Sequence, residues 1–177
     1  MKVGVYGGSF NPVHFGHVGL AKWVIENTDL DELWLLVSPL NPLKAESQEL
    51  RAKSEEERLE GVREAIRDIP GLVASDFEFG LPRPSYTANT LRELQRAYPE
   101  HEFTLIIGED NIAIFDQWRE WEYIAKNFRI FVYPRKGSSK IVDCRLKIED
   151  FRSLVYLKGA PTFDISSTAI RRSQGLE

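Results

Sequence analysis

Cysteine is almost missing from this chain. The single Cys144 excludes an internal disulfide and any cysteine-based zinc cluster. That usage fits a reducing compartment, so a cytoplasmic location is expected. Long apolar runs are missing too. No stretch approaches the roughly 18 residues of a membrane-spanning helix, and no signal-peptide pattern precedes the first apolar run. Positive charge is not in excess: the net charge is −4. No broad surface for nucleic acid or an anionic membrane is expected, although a local cationic pocket stays open. There is no internal repeat and no low-complexity tract. After the first strand neither GxGxxG nor GxxxxGK[ST] occurs, which excludes the dinucleotide fingerprint and the P-loop. Histidine is scarce, with three in the chain, and His14 and His17 lie in one short segment.

What is present alternates. The 177 residues, 42% hydrophobic and 28% charged, predict one domain over 1–177 with a core of useful size. Residues 2–6 read as a strand and 16–27 as a helix. Leu33-Trp34-Leu35-Leu36-Val37 is a short continuous apolar run of the kind found in parallel strands buried on both faces. Ser54 with Glu57 is a capping-box pattern, opening a helix with Leu59, Val62 and Ile66 on one side. Leu72 to Ala74 reads as a strand. Thr87 reads as the cap of a helix with Leu91, Leu94 and Tyr98 on one face. Phe103 to Ile107 reads as a strand ending at Gly108. Helical stretches over 111–117 and 119–126, broken near Trp118, are followed by strands at 129–133 and 154–157. This order predicts an α/β fold with a mostly parallel sheet and right-handed crossovers.

The segment Gly7-Gly8-Ser9-Phe10-Asn11-Pro12-Val13-His14-Phe15-Gly16-His17 joins the first strand to the first helix. A glycine-bearing turn that runs into a helix start offers free backbone N–H groups, which is an anion site. Gly7 and Gly8 let a phosphate approach the backbone, and Pro12 stiffens the turn. His14 and His17, three apart, share a face of the first helical turn and can donate to phosphate oxygens; bound phosphate favours their charged forms. Near the other end, Ser166, Ser167 and Thr168 offer hydroxyls and N–H groups at a helix start, with the Arg171 guanidinium one turn on.

These two segments resemble the HxGH and ISSTxIR motifs of the nucleotidyltransferase superfamily of adenylyl- and cytidylyltransferases. The middle of the chain is similar to the nicotinate-mononucleotide adenylyltransferases within it. Arg83-Pro84-Ser85-Tyr86-Thr87 with Thr90-Leu91 resembles their acceptor-side motif, and Ile106-Ile107-Gly108-Glu109-Asp110 their IIGxD strand end. Phe115 to Trp121 resembles their FxxWxxW stretch, and Val132-Tyr133-Pro134-Arg135 their strand followed by arginine. The motifs keep their order from residue 3 to 171.

The resemblance implies a Rossmann-like, doubly wound sheet with helices on both faces. It implies transfer of AMP from ATP to nicotinate mononucleotide, giving deamido-NAD and pyrophosphate in NAD biosynthesis. His14, His17 and Arg171 become the catalytic residues. ATP is expected at Gly7, Gly8, Ser9, Phe10, His14, His17, Gly108, Asp110, Ser166, Ser167, Thr168 and Arg171. The nicotinate nucleotide is expected at Lys44, Ser85, Tyr86, Thr87, Trp118 and Arg135. Within that set Trp118 stacks on the pyridine ring, Thr87 meets the carboxylate and Asp110 accepts from a ribose. Magnesium is expected on the ATP phosphates, with no dedicated protein metal site.

Three departures stand out, one being that the acidic Glu78 and the segment 138–153 match nothing in the family pattern. The family often has Pro-Pro-His-Lys before the basic loop residue, where this chain has Asn41-Pro42-Leu43-Lys44. The family pattern continues past the second motif with a tyrosine-containing segment and a helix, where this sequence reads Gly175-Leu176-Glu177. Adenylyl transfer to nicotinamide mononucleotide or to phosphopantetheine, and a non-catalytic nucleotide sensor, stay open as alternatives, as does homo-oligomerisation.

Overall fold

The computed structural model describes residues 1–39, 54–135 and 148–163. Its elements run β1 (Lys2–Gly8), α1 (Phe15–Asn27), β2 (Glu32–Val37), α2 (Glu55–Ile66), β3 (Leu72–Ser75), α3 (Thr87–Ala97), β4 (Glu102–Gly108), α4 (Glu109–Ile112), α5 (Trp121–Asn127), β5 (Arg129–Tyr133) and β6 (Ser153–Tyr156). Single 3-10 turns lie at Phe77–Gly80, Phe115–Gln117 and Ile148–Asp150.

The six strands form one sheet in the order β3-β2-β1-β4-β5-β6, and every pairing is parallel. Side-chain alternation explains why both faces are covered. Along β2, Leu33, Leu35 and Val37 pack with Leu20, Ala21 and Val24 of α1 and Leu59, Val62 and Ile66 of α2. Trp34 and Leu36 point the other way, toward Ala88, Leu91 and Leu94 of α3 and Ile124 and Ala125 of α5. Each such leucine contributes roughly 1.5–3 kcal/mol on burial, so the sheet is held by two cores. Helices on both faces of a parallel sheet in this order make the Rossmann-like, doubly wound fold that the motifs imply.

The direction of winding reverses at β1, whose neighbours are β2 on one side and β4 on the other. Ligands of open α/β sheets sit at such a switch point, outside the carboxyl ends of the strands. Here those ends are Gly7–Gly8 and Gly108.

Local assignments differ from the sequence reading at the start of α3, in the stretch after β4, and at α5, expected over 119–126 and found at Trp121–Asn127. Tyr86 holds the cap position of α3, and Thr87 is its first helical residue, with no side-chain capping bond. The stretch expected to be helical over 111–117 splits into a helix that begins at Glu109 and a 3-10 turn over Phe115–Gln117. Asp110 therefore lies inside a first turn capped by Gly108.

Candidate active site

The turn after β1 is built against its own local preference. Phe10 has φ 47, in the left-handed region that costs a residue with a Cβ about 1–2 kcal/mol. It stays there because its ring is buried, edge-on to Tyr6 at 5.7 Å and to His17 at 4.9 Å. From α2, the Arg58 guanidinium reaches under the turn. Its Nη1 donates to the carbonyls of Ser9 and Ser38, both at 2.7 Å, which ties the loops after β1 and β2 together. The Ser38 N–H also donates to the Gly8 carbonyl at 2.9 Å.

His14 caps α1 and His17 occupies its third position, and the two form a reciprocal capping box. The Gly16 N–H donates to His14 Nδ1 at 3.0 Å, and the His14 N–H donates to His17 Nδ1 at 3.2 Å. Each Nδ1 is therefore an acceptor, so in the neutral rings the proton sits on Nε2. The rings stack with centroids 3.7 Å apart. Burial, then the neighbouring His14, then Arg135 depress the His17 pKa from 6.5 to about 3. Burial and Arg135 lower His14 as well. Without bound phosphate the site thus holds two neutral Nε2–H donors, while the expected shift toward the charged forms concerns the phosphate-bound state. Protonation at Nδ1 would break the helix cap.

Beside this turn a cavity of about 210 Å³ opens among β1, β4, the start of α3 and Trp118. Gly7, Gly8, Ser85, Thr87 and Trp118 line it together. A Cβ on Gly7 would meet nothing within 4 Å, so the backbone faces open space where a ligand can come close. Trp118 packs on Phe115 at 5.1 Å, which fixes one wall. Glu55 and Arg83 form a two-pronged ion pair, one arm at 2.9 Å, that fastens the segment leading to Ser85 onto α2.

Gly108 and Asp110 stand at the end of β4. A Cβ on Gly108 would lie 2.5 Å from Asp110 Oδ1 and 3.1 Å from Arg135 Cγ, so glycine is what admits both side chains there. Arg135 Nε lies 3.9 Å from Asp110 Oδ1. Tyr133 and Tyr6, whose hydroxyls are pushed up chiefly by burial, link that arginine to the histidine side.

The expected residues thus divide. Ser85, Thr87 and Trp118 share the cavity with Gly7 and Gly8, while His14 and His17 are not among its lining residues; the His17 ring lies 6.3 Å from the ring of Tyr6. Tyr86 is not part of the cavity wall; it is 41% exposed, and the Arg119 guanidinium lies 4.7 Å over its ring. Lys44, Ser166, Ser167, Thr168 and Arg171 lie outside the described residues.

The sequence reading missed Arg58, Glu78, Tyr6 and Tyr133. Arg58 had a signal: it falls on the 58-62-66 stripe of α2, the face that carries Val62 and Ile66. Glu78 had none, because a lone acid in a short turn has no period.

Three comparisons place the chain among known proteins. The cytidylyltransferase-like family model matches residues 5–173. A probable nicotinate-nucleotide adenylyltransferase of Bacteroides thetaiotaomicron is 46% identical over 173 residues, 98% of this chain and 81% of its own length. One of Flavobacterium psychrophilum is 42% identical over 173 residues, 98% of this chain and 86% of its own. Among solved structures, Plasmodium falciparum nicotinic acid mononucleotide adenylyltransferase complexed with NaAD superposes with a TM-score of 0.76 at 16% identity, covering 97% of this chain and 82% of that one. At that identity the likeness speaks to the fold.

Proposed function

The chain belongs to the cytidylyltransferase-like family, and from that premise we propose that it is a nicotinate-nucleotide adenylyltransferase of NAD biosynthesis, with ATP and nicotinate mononucleotide as substrates. The 5′-phosphate of the mononucleotide attacks the α-phosphorus of ATP in line. The new P–O bond joins the two nucleotides, and the bond to the β-phosphate breaks to release pyrophosphate. The nucleophile belongs to the substrate, so catalysis is positioning and charge stabilisation.

In this reading the Nε2–H donors of His14 and His17 take phosphate oxygens as charge moves toward the leaving group. The N–H groups at the uncapped start of α3, with Thr87, receive the nicotinate carboxylate. Trp118 stacks on the pyridine ring, and Asp110 and Arg135 serve ribose and phosphate. Ser166, Ser167, Thr168 and Arg171 are assigned to the pyrophosphate on their motif alone, and Lys44 to phosphate in the same way. Magnesium enters with ATP, held on its phosphate oxygens. The proposal also includes a cytoplasmic location; among the described residues no helix is long and apolar enough to cross a membrane.

The observation that carries the proposal is that one cavity unites the Gly7–Gly8 turn with Thr87 and Trp118. The adenylyl donor and the acceptor would then share a wall, as direct transfer requires. Pyrophosphate release is to be measured with magnesium-ATP and, in parallel, nicotinate mononucleotide, nicotinamide mononucleotide and phosphopantetheine. Turnover is expected with the first acceptor and weakest with the last. Stoichiometric ATP binding without pyrophosphate release for any acceptor would leave a nucleotide sensor instead.

A further inference from the structure

We propose that Glu78, together with Ser85, takes the ribose hydroxyls of the mononucleotide acceptor and so selects a ribonucleotide at that position. The inference rests on the reading of the site given above. Glu78 stands in the 3-10 turn Phe77–Gly80 and lines the cavity while only 7% exposed. Its Oε1 accepts from the Thr90 hydroxyl at 3.2 Å. Its Oε2 is buried without a hydrogen-bond partner, and so is Ser85 Oγ, which lines the same cavity. The Thr90 hydroxyl also lies 3.2 Å from the Tyr86 carbonyl and has one proton to give, so Oε1 shares that donor, while the Ser38 hydroxyl lies near the same carboxyl. A buried polar atom left unpaired costs about 1–3 kcal/mol, and more when charged. Two such atoms in one cavity wall point to a ligand that completes them.

The chemistry of the missing partner follows from what a carboxylate oxygen needs, which is a donor. A phosphate or a nicotinate carboxylate brings acceptors and negative charge, and Glu78 would repel it. The pyridinium nitrogen is bonded to the sugar and carries no proton. The donors that nicotinate mononucleotide does offer are its ribose 2′ and 3′ hydroxyls. A serine hydroxyl in the same cavity as an acid suits a vicinal diol, since it can both give and accept. Burial pushes the Glu78 carboxyl up, while the Ser38 and Thr90 hydroxyls pull it down; a bound diol adds donors to the charged form and pulls further down.

Two other donors need separating from this one: the amide of nicotinamide mononucleotide and the ribose of ATP itself. The test compares wild type with Glu78→Met, which keeps the length but has no acceptor, and Glu78→Gln, which keeps an acceptor oxygen. Melting curves check that each variant folds. The substrates are nicotinate mononucleotide, its 2′-deoxy and 3′-deoxy forms, nicotinamide mononucleotide and 2′-deoxyATP. Wild type is expected to lose on the order of tenfold or more in kcat/KM with a deoxy acceptor. Glu78→Met should lose a similar factor on the parent acceptor, through KM, and nothing further on the deoxy form, with Glu78→Gln between. A variant that slows parent and deoxy acceptors equally overturns the proposal and leaves Glu78 a packing role. So does an effect confined to the acid-to-amide ratio or to 2′-deoxyATP. If wild type released no pyrophosphate at all, the functional reading would fall by itself. Calorimetric binding of parent and deoxy mononucleotides to the same variants would then decide the diol contact separately.

Discussion

The His14–His17 pair shows how one local device can set both a fold feature and a chemical state. Each ring closes the α1 cap through Nδ1, which fixes the tautomer, and burial together with the stacked neighbour resists charging. With a folded pKa near 3 against 6.5 ordinarily, His17 takes up a proton in the unfolded chain first. Its share of stability is therefore intact above about 6.5 and lost as the pH falls toward 3. The His17 imidazole resonances should not titrate between pH 5 and 8 in the free protein; a midpoint near 6.5 would sink this account. Replacing His17 by alanine should cost on the order of 3–4 kcal/mol of transition-state stabilisation, the scale of a lost oxyanion donor. Near-normal turnover in that variant would remove it from the chemistry. The spacing of the histidines was plain in the sequence. Their neutrality was not, because it depends first on burial against other elements and then on Arg135, which follows β5.

At the scale of elements, the site depends on short segments held by longer ones. The turn after β1 keeps Phe10 in a strained conformation, and Arg58 of α2 secures it through the Ser9 and Ser38 carbonyls. Arg58→Ala strips both carbonyls of this donor. It should lower stability by about 2–4 kcal/mol and raise KM for ATP more than KM for the acceptor. Urea unfolding and steady-state kinetics check both, and an unchanged denaturation midpoint would show that other groups carry the turn. Strand and helix order was legible because apolar runs and caps repeat with a period. The start of α3 was read one residue late at its cap, and the region after β4 was read as longer helix than it is. After β4 the short helical turns follow tertiary contacts rather than a period: Phe115 is fully buried and Trp118 packs on it.

For the whole molecule, the proposal requires segments far apart in the chain to grip one triphosphate. The order β3-β2-β1-β4-β5-β6 puts the β1 turn at the switch point, beside the end of β4. A crystal structure with a non-hydrolysable ATP analogue should place the Arg171 guanidinium and the His14 and His17 imidazoles on the same phosphate chain. Imidazoles and guanidinium in separate cavities would collapse the assignment. The same complex should carry the adenosine near Gly108 and Asp110, at the carboxyl end of β4.

The sequence by itself determined the alternation of strands and helices, the parallel sheet, and the family. Those depend on periodicity and on contiguous motifs, which a linear string preserves. Only the tertiary structure decided that burial lowers the pKa of His14 and His17, that Tyr86 stands outside the cavity wall, that Arg58 braces the β1 turn and that Glu78 lines the cavity. Burial, distance and an unmet hydrogen bond are properties of side chains brought together from different elements, and nothing in their own neighbourhood along the chain records them.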